Sequence, residues 1–324
     1  MALLQLLSDG ETHSGEWLGR ELGISRAAVW KQIDVLRKRG VGIEVISGKG
    51  YRLLGGLEPW SAEQLRRHMS PAAIGLLSIL QTLKTTGSTN DDVAALMRGV
   101  REPLAGAIVC IAEEQTSGRG RRGREWFSPL GRNFYGSIGW IFAEGLPALE
   151  GLSLAVGVAL ARALRLYGVA GVQLKWPNDL EVNGAKLGGV LIEVQAEAGG
   201  SCQAIIGIGL NIALPSGCSQ QLGRAVTDVS SLTGGVVSRN RLGALVVQEV
   251  LLLLKDYPER RFSGVREEWL ELDALHDAPV AVTGLQQDIA GLARGVDDQG
   301  ALMVETDAGL VRIQAGEVSL RRRS

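Results

Sequence analysis

Cysteine and histidine are scarce in this chain. Three cysteines, Cys110, Cys202 and Cys218, make an odd number with no CxxC pair, and the three histidines show no metal-ligand spacing. Neither a disulfide framework nor a structural zinc is expected. An excess of charge of one sign is also missing, since 34 Lys and Arg face 35 Asp and Glu. The chain as a whole is therefore no general nucleic-acid binder, and any such contact has to sit in one module. The opening MALLQLLSDG has no basic leader and reaches Asp9 after a short apolar stretch, unlike a secretory signal. GLSLAVGVALARALRLYG and VVQEVLLLLKD read as too short or too polar to span a bilayer. The expectation is a cytoplasmic protein with no membrane partner.

Several catalytic strings are absent as well. There is no GxxxxGK[ST] loop, no strand-GxGxxG-helix unit, no GxSxG elbow and no Cys/His nucleophile pair. Any chemistry should then rest on electrostatics. What is present is 45% hydrophobic content over 324 residues, enough for two or three cored domains.

The first sixty residues read as a helix-turn-helix with a wing. Leu3, Leu4, Leu6 and Leu7 end at the turn cluster Ser8-Asp9-Gly10, and a second helix begins after Ser14 and stops at Gly23. Ser25 can cap a third helix whose Val29, Ile33 and Leu36 face inward. VGIEVISGKGYRLL alternates on either side of Gly48-Lys49-Gly50, as a two-stranded wing with a basic tip would. From Ser25 to Leu54 seven Lys/Arg stand against Asp34 and Glu44. The exposed side of the third helix offers Ser25, Arg26, Lys31, Gln32, Lys38 and Arg39, and Ala27, Ala28, Trp30 and Lys49 complete the DNA-facing set. Basic helical hairpins also occur in proteins that never touch DNA; the wing favours DNA. Residues 55–75 suit a linker with one helix, with a boundary near Pro59.

Beyond it AGAIVCIAEE, NFYGSIGWIF, LGGVLIEVQ and QAIIGIGLNIAL read as strands, and residues 151–167 as a buried helix that Gly151, Ala155 and Ala159 let lie close to a sheet. An α+β core with a mixed sheet follows. Four segments carry side chains that folding alone does not require. GRGRRGR at 118–124 places four arginines among three glycines, a run costly to order and self-repelling until an anion neutralises it. The same run also reads as a solvated loop. Ser88 and Thr89 in GSTN could cap the helix that follows or point donors at a ligand. KWPNDLEVNGAKLGG gathers Lys175, Asn178, Asp179 and Lys186 about an Asn183-Gly184 hairpin, a set suited to a polyphosphate and its metal. In GIGLN, Gly207 and Gly209 permit close approach of a flat ligand, and Asn211 adds an amide. After Pro279, short apolar alternations split by glycines suggest a small SH3-like β-barrel.

Taken in order, the winged helix, STN at 88–90, GRGRRGR at 118–124, KWPND at 175–179, GLN at 209–211 and GEVSLR at 316–321 resemble the bifunctional biotin-protein ligase and biotin operon repressor family over nearly the whole chain. The resemblance implies a winged helix-turn-helix at 1–58, a class II synthetase-like mixed-sheet ligase domain at 59–274 and an SH3-like domain at 275–324. It implies biotin, ATP and Mg2+ as ligands, with biotinyl-5'-adenylate formed and its biotin passed to a lysine of a biotin carboxyl carrier domain. It also implies an adenylate-bound homodimer on operator DNA. By the same resemblance Ser88, Thr89, Asn90, Gln115, Gly118, Gly120, Gly188 and Gly207 line the biotin site. Arg119, Arg121 and Lys186 then act on the carboxylate and reacting phosphate. Arg121, Arg122, Arg124, Trp126, Lys175, Asn178 and Asn211 hold ATP, and Asp179 holds Mg2+. Arg294, Glu317 and Arg321 are candidates for ATP or carrier contact; the alternative is that their domain only covers the catalytic sheet. The chain departs from the family pattern at Gly87, Thr116-Ser117 and Gly188, and Val226–Val229 stands where an adenine-stacking aromatic can lie. A lipoate-type acyl ligase and a biotin sensor with weak catalysis are the rival readings.

Overall fold

The computed structural model describes residues 2–38, 41–99, 106–196, 200–215, 217–284, 288–315 and 319–322. Helices α1 (Ala2–Leu6), α2 (Gly15–Leu22) and α3 (Arg26–Lys38) open the chain. α2 starts where Ser14 Oγ accepts the Trp17 N–H at 3.1 Å and stops at Gly23, whose φ of 65° suits glycine. Ser25 Oγ accepts the Ala28 N–H at 3.2 Å and so starts α3. β1 (Ile43–Ile46) and β2 (Gly50–Leu53) form the antiparallel wing, with Lys49 exposed at its tip. Leu4, Leu18, Val29, Ile33, Leu36, Ile43 and Leu53 share one core, and Leu130 from the next unit joins it. Arg39, expected on the DNA side, lies outside the described residues.

Residues 55–75 are not the one-helix linker expected from their Gly, Pro and Ser content. They carry two helices, α4 (Ala62–Arg67) and α5 (Pro71–Ile74), and Trp60 is buried in the main core. The segment is gripped by polar groups. Arg239 and Glu113, 4% and 6% exposed at their side chains, form an ion pair of 2.8 Å. Arg239 Nη1 donates to the Glu58 carbonyl at 2.7 Å, and Glu113 Oε1 accepts the Trp60 N–H at 2.6 Å. Asn240 donates to the Pro59 carbonyl and accepts the Ser61 N–H, both at 2.9 Å. Buried polar groups need such partners, so this connector has one seat. Local composition could not show it, because the partners lie far along the chain.

The central unit runs β3 (Leu77–Leu83), α6 (Thr89–Gly99), β4 (Ala107–Ala112), β5 (Asn133–Phe142), α7 (Leu152–Tyr167), β6 (Val172–Lys175), β7 (Asp179–Val182), β8 (Ala185–Ala196), β9 (Cys202–Asn211), α8 (Cys218–Leu222), α9 (Val229–Thr233), α10 (Arg239–Arg260) and α11 (Arg266–Glu271). Its seven strands lie in the order β3-β4-β5-β9-β8-β7-β6, parallel only between β3 and β4. Alternate β4 residues serve opposite faces. Val109 and Ile111 join α7 and α10 in the main core, while Ile108 and Cys110 pack with Val93 and Met97 of α6.

Two expectations about α7 change. Leu146–Tyr167 is long and apolar enough to cross a bilayer by those two criteria, so they do not exclude a span as expected; its apolar surface is accounted for by packing in the core. Gly151 precedes α7 instead of packing within it. Its φ is 70°, and a Cβ there would collide with Phe262.

The last unit is an antiparallel SH3-like sheet of β10 (Pro279–Thr283), β11 (Ile289–Val296), β12 (Leu302–Thr306), β13 (Gly309–Ile313) and β14 (Ser319–Arg322), ordered β13-β12-β11-β10-β14. Val280, Val282, Leu302, Val304 and Ile313 extend the main core, and Trp176 Nε1 donates to the Gly300 carbonyl at 3.0 Å.

Candidate active site

The parallel pairing of β3 and β4 brings two of the segments together. It continues past the strand ends, with the Thr86 N–H donating to the Glu114 carbonyl and the Thr116 N–H to the Thr86 carbonyl. Gln115 therefore arrives beside the start of α6. Its Oε1 accepts from the Thr89 N–H at 2.9 Å and Thr89 Oγ1 at 3.1 Å, and Thr89 Oγ1 also meets Ser137 Oγ at 2.7 Å. Ser137 donates to Asn90 Oδ1 at 2.6 Å, leaving the buried Asn90 amide nitrogen without a partner. Of the two readings of GSTN, capping is not what the Thr89 hydroxyl does. Ser88, Thr89 and Asn90 are buried and line a cavity of about 620 Å³.

The arginine run closes one side of that cavity as a tight turn. The Gly120 N–H donates to the Arg124 carbonyl at 2.7 Å, the Arg119 and Glu125 backbones pair as a single antiparallel bridge, and Arg122 takes a positive φ of 60°. Arg119 grips Asp91 through two bonds of 2.9 and 2.7 Å and reaches Glu193 at 3.4 Å. That hydrogen bonding holds the Asp91 carboxyl below the usual range. Arg121 Nη1 donates to Asn178 Oδ1 at 3.3 Å, and Asn178 Nδ2 donates to the Val190 carbonyl at 2.7 Å.

The KWPND hairpin supplies the adjoining wall. Asn183 and Gly184, with φ of 51° and 75°, make the tight turn between β7 and β8. Lys175 pairs with Glu181 at 3.0 Å, and Lys186 pairs with Asp179. The β7 ladder shifts register where Leu180 meets Gly188 and Glu181 meets Lys186, a bulge that re-aims the lysine. Lys186 Nζ lies 5.4 Å from the Trp126 ring centroid. Burial draws the Lys186 pKa below its ordinary value, opposed by Asp179.

Most of the site residues expected in the ligase domain line this one cavity, with three exceptions. Gly118 packs on the Trp126 carbonyl and Ser128, and Gly188 packs inside the sheet against Gly209 and Leu210. Asn211 faces a separate hollow of about 10 Å³ that shares Trp126, Lys186, Leu222 and Arg224 with the larger one. Its Nδ2 donates to the Lys186 and Thr227 carbonyls at 3.3 and 3.1 Å. The alternating glycines of β9 also have a different use: Gly209 accommodates the Trp126 indole and Gly207 the Asn90 amide, where side chains would collide. Arg294 is paired with Asp277 and Glu305 away from the cavity, and Glu317 and the Arg321 side chain lie outside the described residues.

Sequence reasoning missed Glu181 and the 222–225 wall. Glu181 had a usable signal, since i and i+2 on a strand share a face with Asp179. Leu222–Ala225 had none, because it reaches the site through a backbone bond from the Lys186 N–H to the Ala225 carbonyl at 3.0 Å. Among the described residues no cluster of three or more His, Cys, Asp or Glu could hold a metal by itself.

A mixed-sheet domain whose cavity joins cations to amide and hydroxyl donors, preceded by a winged helix, defines a ligase that carries a DNA-binding module. Residues 84–211 match the Biotin/lipoate A/B protein ligase family, 1–52 an HTH domain and 276–321 the Biotin protein ligase C terminal domain. The chain is 36% identical to the bifunctional ligase/repressor BirA of Escherichia coli (strain K12), over 99% of this chain and 97% of that protein. With its Bacillus subtilis (strain 168) namesake it shares 31% identity over 98% and 97%. The biotin protein ligase of Aquifex aeolicus, solved in complex with biotin and ATP, superposes with a TM-score of 0.63 at 25% identity, over 76% of this chain and all of that one. The chain belongs to the bifunctional biotin ligase/repressor family.

Proposed function

We infer that this chain activates biotin with ATP in the 620 Å³ cavity and represses transcription through its winged helix. The protein is a biotin-protein ligase and a DNA-binding repressor. The observation that carries the site assignment is convergence: Arg121, Asn178, Lys186, Ser88, Thr89 and Gln115, from widely separated segments, line one cavity. Ser88, Thr89, Asn90 and Gln115 form a neutral hydrogen-bonding end suited to a ureido ring, and the cationic end suits a carboxylate beside phosphates.

Attack of the biotin carboxylate oxygen on the α-phosphorus breaks the bond to pyrophosphate and yields biotinyl-5'-adenylate. An acceptor lysine amine of the carrier domain then attacks the acyl carbon, AMP leaves, and the amine gives up a proton. Lys186 and Arg121 neutralise charge that grows on the α-phosphate, and they do so from fixed positions. Arg119, forked on Asp91 and lining the cavity, can turn from that carboxylate and make the same two-bond fork with the biotin carboxylate or a phosphate. Asp179 and Glu181 share one side of β7 beside the cavity. Their hard oxygens fit Mg2+, which is held by one or two carboxylates plus substrate phosphates and supplies charge neutralisation when bound. Lys175, Arg122, Arg124, Trp126 and Asn211 complete the nucleotide end. The division into 1–58, 59–274 and 275–324, and a homodimer on operator DNA, belong to the same reading.

The test is transfer of labelled biotin to a carrier domain in the presence of ATP and Mg2+. Lys186→Ala and Arg121→Ala should depress it strongly. Full activity in both variants rejects the site, and transfer of lipoate in preference to biotin selects the rival acyl ligase.

A further inference from the structure

α3 shows an unusual outer surface for a solvated helix. Its inward side, Val29, Ile33 and Leu36, is spent on the winged-helix core. On the outside Trp30 is 57% exposed and Val35 53% exposed, with no described residue covering them. At about 100° per residue, Ala27, Lys31 and Val35 fall in one stripe opposite the buried residues, and Trp30 stands on its flank. Arg26 and Gln32 are exposed beside them. Asp34, the sole carboxylate of this helix, is held by Lys38 at 2.7 Å, which relieves its repulsion of a polyanion. The same unit raises Lys49 on its wing.

Large apolar groups in a cationic frame call for a partner that is anionic outside and apolar at isolated points. Duplex DNA has that character, because the thymine methyl is the apolar group displayed in the major groove. We propose that Trp30 and Val35 set operator specificity by packing against thymine methyls, with Lys31 between them reaching a base edge or phosphate. This rests on the repressor reading and adds to it which residues discriminate and which bases they select. The phosphate contacts of Arg26 and Lys49 position the helix without choosing sequence.

The experiment uses the full chain with biotin and ATP, and selects preferred duplexes from a random library. Uracil then replaces thymine, one position at a time, in the selected sequence. At contacted positions loss of the methyl should weaken binding about fourfold, the worth of one buried carbon. Trp30→Ala and Val35→Ala, both surface changes, should each abolish that sensitivity at its own position and weaken binding to the selected duplex more than to random-sequence duplex. The proposal is overturned if uracil is tolerated at every position, or if the two variants weaken random and selected DNA equally. Absence of any enriched sequence would instead reject the repressor reading itself, and this inference with it.

Discussion

The winged helix and the proposed catalytic cavity both carry cations, yet they hold them in opposite ways. Arg26, Lys31 and Lys49 stand in water, whereas Lys186 is drawn under Trp126 and paired with Asp179, and Arg239 is buried against Glu113 beneath the connector. Water screens the first set, so each charge there contributes little alone and the sum is sensitive to salt. A drier setting strengthens the second set and makes each partner indispensable. The effect of substituting a cation in this protein therefore depends on what surrounds it more than on its charge.

The largest effect is expected at the connector. Arg239→Ala should cost roughly 3–5 kcal/mol of stability, because Glu113 is left buried and unpaired, and urea unfolding would measure it. A loss within ~1 kcal/mol would show that the pair behaves as a surface pair. Next is the cavity, where Lys186→Ala should slow pyrophosphate release about 100- to 1000-fold, as loss of one charge-stabilising donor does. A threefold change would place the charge elsewhere.

The pH dependence sharpens the same contrast. Burial lowers the Lys186 pKa, so the cationic, active form is lost as pH rises through a value below 10.5. Lys186→Arg, whose guanidinium stays charged, should remove that alkaline fall in rate. Stability runs the other way. The unfolded chain binds this proton more tightly, so the cost of burying the charge is relieved between the folded pKa and 10.5 as pH rises. An alkaline limb that persists in the arginine variant assigns the titration to another group.

On the exposed side, Lys49→Ala should reduce the slope of log affinity against log salt by about 1 and weaken all DNA sequences alike. A change confined to one operator base would make Lys49 a reader. The smallest effect is expected at Asp91→Ala. This carboxylate is largely solvent-exposed, so its loss should shift stability by no more than about 1 kcal/mol despite two bonds to Arg119. The melting temperature would show it.

Much of this molecule was legible residue by residue. Ser14 and Gly23 bound α2, Asn183-Gly184 turns β7 into β8, and NFYGSIGWIF is β5 from end to end. Those signals are local, set by caps, turn residues and alternation within a few positions. β3 and the full length of α10 went unread, since LSILQTL alternates weakly and α10 runs on past its apolar stretch through a polar last turn that carries Pro258. The arginine run was legible as a charge cluster, but not its grip on Asp91. The Leu222–Ala225 wall was invisible, because its place depends on backbone bonds to Lys186.

The amino-acid order by itself determined the three kinds of unit, the segments that carry polar chemistry and the cationic character of both surfaces, because those follow from periodicity, turn chemistry and side-chain type. Only the tertiary structure decided which charges are paired, which glycines make room for an indole and an amide at the cavity wall, and how tightly the connector is held. Pairing and burial arise between residues distant in the chain, and their energies depend on the water that the assembled fold excludes.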